Sequence, residues 1–152
     1  MKRVVIQQYR ESVDRVRGMV AGLVVPPEGW VRTVRRAIGM SGVQLARRLG
    51  VTRAAVSNTE KAEVKGGVTL RAMQQMAEGL GCRFVYAIVP DGDVEEVVLR
   101  RAREKATALI AAASVQMALE DQALGEEKLR AEVERLAREI ASGSSSDLWD
   151  EA

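Results

Sequence analysis

The stretch MSGVQLARRLGVTRAAVSNTEK, Met40 to Lys61, decides the fold. Ser41 stands three residues before Gln44, the spacing of a capping box, so a helix begins at Gly42 and ends at Gly50. Thr52 caps a second short helix, Arg53 to Glu60, whose Val56 faces inward. Two helices that cross steeply need a small residue where their backbones approach and a residue tolerant of positive φ in the turn. Ala46 and Gly50 occupy those positions, and Leu45, Leu49, Val51 and Val56 supply a shared apolar seam.

Working outward, Trp30 to Ile38 reads as a helix with Trp30, Val31, Val34 and Ile38 on one stripe, closed by Gly39. Before it, Pro26-Pro27 and Gly29 break the chain from a helical arm over residues 3 to about 22, with Val13, Val16 and Val20 on one stripe. After the central pair, a loop from Lys61 to Val68 leads to a Thr69-capped helix with Leu70, Met73, Met76, Ala77 and Leu80 inside. Asp93 caps a long helix to about Gln122, with Val94, Val97, Val98, Ala102, Ala106, Leu109, Ile110, Ala113 and Met117 as its apolar stripe. A last helix, Glu126 to Ala141, follows Gly125 and carries Leu129, Val133, Leu136 and Ile140 on one face. The small, acidic tail SGSSSDLWDEA reads as flexible.

Between these helices the period changes. In CRFVYAIVP, Cys82 to Pro90, Phe84, Tyr86 and Ile88 alternate with Arg83, Val85, Ala87 and Val89, which predicts a β-strand over about 82–89. A lone strand leaves its backbone donors and acceptors unpaired, so it is expected to pair antiparallel with its copy in a second subunit through Phe84, Tyr86 and Ile88. The alternative is an extended segment lying on the chain's own helices. The domain organisation is then an arm at 1–29, a core at 30–90, a helical extension at 91–141 for dimer or partner contacts, and a flexible tail at 142–152.

Composition narrows the function. With 47% hydrophobic and only 3% aromatic residues, the core is built from Val, Leu, Ala, Ile and Met, as in closely packed helices. A single cysteine, Cys82, excludes an internal disulfide framework, and the absence of histidine removes the imidazole base and His-ligated metals. No nucleophile and base pair, metal cluster or phosphate loop stands out, so neither an enzyme nor a cofactor is expected. The apolar run Met19 to Val25 is too short for a membrane span, which leads to the expectation of a cytoplasmic protein. Charge is divided: residues 1–90 hold 15 Lys and Arg against 6 Asp and Glu, net +9, and residues 91–152 hold 8 against 15, net −7. A basic half favours a polyanion and an acidic half avoids one, so nucleic acid belongs with the first and protein contacts with the second.

The order Leu45-Ala46, Gly50-Val51-Thr52, Val56-Ser57 and Glu60 makes residues 41–61 a helix-turn-helix pattern, and it resembles the Cro/phage-repressor or XRE family over roughly residues 30–81. The resemblance implies a mainly α fold, a Cro/repressor-type core to which the expected strand and the C-terminal helical extension are added. It also implies that the second motif helix lies in the major groove of double-stranded DNA. Carried over to this chain, Thr52, Arg53, Ala54, Ser57 and Asn58 face DNA bases, with Arg53 the best reader because its planar fork can donate twice to guanine. Arg32, Arg35, Arg36, Lys61 and Lys65 become the phosphate contacts. Two positions depart from the family: Gly42 stands where many relatives have a phosphate-binding glutamine, and Thr59 where a large apolar residue is usual.

A closer resemblance extends over nearly the whole chain. The run GWVRTVRRAIGMSGVQLARRLGVTRAAVSNTEKAE, the segment CRFVYAIVP and MALEDQAL at Met117 to Leu124 look like the mobile mystery protein A family. That resemblance implies a bacterial helix-turn-helix protein whose gene neighbours one for a Fic-domain protein, as in a toxin and antitoxin pair, with this chain as antidote and repressor of its own operon. The usual inhibitory motif of Fic inhibitors, Ser or Thr, three residues, then Glu before Gly or Asn, is absent: Glu28-Gly29 is preceded by Val24 and Glu78-Gly79 by Gln74. The acidic surface around Glu120, Asp121, Glu126 and Glu127 is the partner-binding candidate in its place.

Two readings follow. In the first, a homodimer binds an inverted-repeat operator and regulates transcription. In the second, the chain is an interaction module that mainly sequesters a toxic partner enzyme, with DNA binding secondary.

Overall fold

A computed structural model of the chain describes residues 2–119, 125–143 and 147–151. Its described residues form the helices α1 (Lys2–Val20), α2 (Trp30–Ala37), α3 (Gly42–Leu49), α4 (Arg53–Lys65), α5 (Leu70–Gly79), α6 (Val94–Leu119) and α7 (Glu126–Ser142). They divide into two compact units, residues 21–87 and residues 1–20 with 88–152.

In the 21–87 unit, α3 lies against α4 and α5, and α2 packs on α4 and α5. The core is Val31, Leu45, Ala46, Val56, Met73, Met76 and Leu80, with Val34, Met40, Leu49, Val68 and Phe84 around it. The end of α5 crosses α3 so closely that a Cβ at Gly79 would stand 2.8 Å from side-chain carbons of Leu45 and Leu49. Only glycine fits without repacking there. Arg48 of α3 secures the crossing, its Nε donating to the Gly79 carbonyl at 2.7 Å. Leu70, read as an inward residue, is half exposed.

The expected strand does not form. Residues 82–89 carry no regular secondary structure, and no sheet exists among the described residues. Alternating apolar residues favour an extended backbone, but a strand also requires a ladder partner, and none is present. The Phe84 ring packs against the helical core instead and stacks on Tyr86 with centroids 5.7 Å apart. Ile88, the third residue assigned to a dimer strand, is 94% exposed. The fold is therefore all-helical, without the predicted β element.

In the other unit, α6 and α7 pack as an antiparallel pair. Ala102, Ala106 and Ala137 are fully buried, and their small side chains let the two backbones approach. Arg103 bridges to Glu134 at 2.8 Å across the pair. Helix α1 lies on α6, and Asp14 accepts from the Val94 backbone N–H at 2.9 Å while Asp93 accepts from that of Glu96 at 2.8 Å, so two carboxylates serve the start of α6. On the outward face of α7, Arg135 pairs with Glu132 and Glu139, and its hydrogen bond holds the Glu132 carboxyl below the ordinary carboxylate range.

Leu148 is 3% exposed and belongs to the core of this unit, and Arg101 donates to the carbonyls of Leu148 and Asp150.

Candidate nucleic-acid interface

The site begins with the turn. The Ser41 hydroxyl accepts from the Gln44 N–H at 3.1 Å and the Gln44 side chain accepts from the Ser41 N–H at 2.8 Å, completing the capping box. Gly50 ends α3 at φ 67°, and Val51 N–H returns to the Ala46 carbonyl at 3.0 Å. That left-handed residue turns the chain into α4, where the Thr52 hydroxyl accepts from the Ala55 N–H at 3.1 Å. Replacing Thr52 with alanine removes this cap and is expected to lower the stability of the unit by about 1 kcal/mol. Urea denaturation of the two chains measures it.

Helix α4 continues to Lys65, five residues beyond the end expected from the sequence, so Lys61 and Lys65 stand on its last turns and not in a loop. The extension matters because Glu63 now reaches back to α2. Its carboxylate accepts from the N–H groups of Trp30 and Val31 at 2.5 and 2.9 Å, supplying α2 with a cap that Gly29 cannot provide. Nothing in the local pattern around Trp30 marks this partner, which lies 32 residues away from Val31.

The side chains of α4 sort by face. Val56 is 1% exposed and points into the core, while Thr52, Arg53, Ala54 and Asn58 are exposed and Ser57 is half-buried. Thr59 is half-buried too, and its hydroxyl donates to the Ala55 carbonyl at 2.9 Å, so the polar residue at this usually apolar place is satisfied within its own helix. Arg53 and Ser57 line an open groove of about 730 Å³ together with Arg32, Arg35, Gly42, Lys61 and Lys65. Thr52, Ala54, Asn58 and Arg36 lie outside its lining.

The arginines of α2 divide into two kinds. Arg35 is held by Glu60, its Nε 2.7 Å from the carboxylate, and by the Met40 carbonyl at 3.0 Å, with both side chains of the ion pair more than four-fifths buried. It ties α2 to α4. Arg32 and Arg36 share Glu28, at 3.3 and 3.0 Å, in pairs exposed enough to open to a stronger anion. Arg53, Lys61 and Lys65 have no ion-pair partner among the described residues. The pairing of Glu28 with these arginines was not expected from the sequence, because Glu28 lies before the first turn of α2.

Of the partner-binding candidates, Glu126 and Glu127 are exposed in the first turn of α7, where the helix dipole favours carboxylates. Glu120 and Asp121 lie outside the described residues.

A two-helix corner with a left-handed glycine, an apolar inner face and exposed cations on its second helix is the helix-turn-helix arrangement. The family comparison agrees: residues 31–86 match the helix-turn-helix model, which is the XRE/Cro type of this motif. No curated protein and no solved structure matches the chain. No helix among the described residues is long and apolar enough to cross a membrane.

Proposed function

We propose that the chain is a sequence-specific transcriptional repressor that binds an inverted-repeat operator as a homodimer. The observation that carries this reading is the unpaired, exposed Arg53 at the first turn of α4, beside a groove lined by further cations. Helix α4 enters the major groove, where Arg53 donates to guanine O6 and N7, Ala54 meets a thymine methyl, and Thr52, Ser57 and Asn58 complete the contacts to base edges. Lys61, Lys65, Arg32 and Arg36 hold phosphates. One helix of this kind reads half a site, so two copies on half-sites about one helical turn apart account for a two-fold operator.

Phosphate contacts act on all sequences alike. Lys65→Ala is therefore expected to weaken binding to operator and random duplex by the same factor and to reduce the salt slope by about 1, measured by fluorescence anisotropy over a salt series. A loss confined to one sequence would place Lys65 among the base readers.

In the same reading the chain is the antitoxin of a Fic-type pair, repressing its own operon in the cytoplasm. The resemblance of its long sequence runs to mobile mystery protein A supports this, together with the net −7 of residues 91–152. Co-expression with a Fic-domain protein, if one is encoded beside it, tests the pairing. A complex that survives substitution of Arg53 but is lost on charge reversal at Glu126 and Glu127 supports it, and no complex at all refutes it.

A further inference from the structure

The segment that forms no strand lines an apolar pocket of about 230 Å³, and the pocket lies wholly within the 21–87 unit. Val31, Met73 and Leu80 of the buried core contribute to its wall, as do the rings of Trp30 and Phe84. Arg83 is the single charged side chain of the lining, and it makes no ion pair or side-chain hydrogen bond among the described residues. It is exposed, as is the Cys82 thiol next to it in the chain. Apolar side chains around such a gap forfeit part of the van der Waals contact of a filled core, so an occupant of matching shape stabilises the unit.

We infer that this pocket binds a small amphipathic carboxylate, an apolar body of one ring or one short chain that carries a single anionic group. Size sets the first limit. Pockets for drug-sized ligands run to about 300–1,000 Å³, and this one is smaller, so a nucleotide or a peptide helix is too large for it. The lining sets the second, because an apolar body gains by leaving water here, whereas a sugar would lose hydrogen bonds that these walls do not return. Charge sets the third. One unpaired guanidinium balances one negative charge and can donate twice to a carboxylate, while a phosphate dianion would leave charge uncompensated beside apolar walls. An apolar side chain from a second copy would leave Arg83 without a counter-charge. The inference stands apart from the DNA-binding reading, since no residue of the pocket is among those assigned to DNA.

Octanoate and its neutral analogue octanamide are the probes, titrated into the full chain on a Trp149→Phe background while the emission of Trp30 is followed. At low salt octanoate is expected to saturate a single site and to bind about fivefold more tightly than octanamide, the upper range for an ion pair open to solvent. Bound octanoate should also slow alkylation of Cys82 by N-ethylmaleimide and raise the urea midpoint of the unit. Arg83→Gln changes an exposed residue and is expected to leave the fold intact while bringing the two probes to equal affinity. Ala77→Leu enlarges a side chain of the lining and should weaken both probes at least about tenfold. Equal affinity of the two probes for the parent chain overturns the carboxylate assignment, and the lack of a saturable change with either overturns the site. Alkylation of Cys82 that slows as protein concentration rises, with no probe added, would show the pocket covered by a second copy and would overturn the inference as well.

Discussion

Leu45→Ala is expected to destabilise the 21–87 unit by about 2–5 kcal/mol and to unfold much of it at ambient temperature. Leu45 is fully buried, and it stands where α3, α4 and α5 meet. The cavity left by the lost carbons has no means of collapsing, because the backbone of α5 already sits against α3 at Gly79. A unit of this size has little stability in reserve. Trp30 reports its unfolding, and a Trp149→Phe background removes the tryptophan of the other unit. The urea midpoint should fall steeply in Leu45→Ala and only slightly in Leu45→Met, which conserves volume. Equal midpoints for all three chains would mean that the seam between the motif helices does not carry the unit.

Arg53→Ala is expected to act on recognition alone. The guanidinium is exposed and makes no ion pair among the described residues, so the denaturation midpoint should stay within error of the parent chain. A bidentate contact to guanine is worth about 1–3 kcal/mol of discrimination, which corresponds to a preference of roughly 5- to 150-fold for one base pair in each half-site. Binding measured against a set of operators with every base substituted at each position should show that preference flattened at one symmetric pair of positions. A uniform loss across all duplexes would make Arg53 a phosphate contact.

The central motif was legible because its rules are local. A serine three residues before a glutamine, a threonine cap and a glycine that tolerates φ of 67° each act within one turn of chain, and all three fall where the spacing predicts. Val56 inward and Arg53 outward follow from the same 3.6-residue period. Contacts between distant parts of the chain were not legible. The reach of α4 to Lys65 is tied to Glu63 capping α2, and the ion pair of Arg35 depends on Glu60 lying beside it in space. The strand failed for a related reason: β-propensity at Phe84, Tyr86 and Ile88 describes the residues, whereas a strand also needs a partner, and Phe84 found the helical core instead. The burial of Leu148 was likewise not legible, since a single leucine among serines and acids carries no periodic signal.

Footprinting of the purified chain on the DNA upstream of its own gene, with unrelated competitor duplex and at two salt concentrations, tests the central claim most directly. A specific regulator that reads bases through α4 protects an inverted repeat, keeps that protection in the presence of competitor, and weakens with salt without losing its position. Protection that spreads over all sequences and vanishes with competitor or modest salt would show attraction to the phosphate backbone without readout, and would contradict the assignment of Arg53 and its neighbours as readers of a DNA sequence.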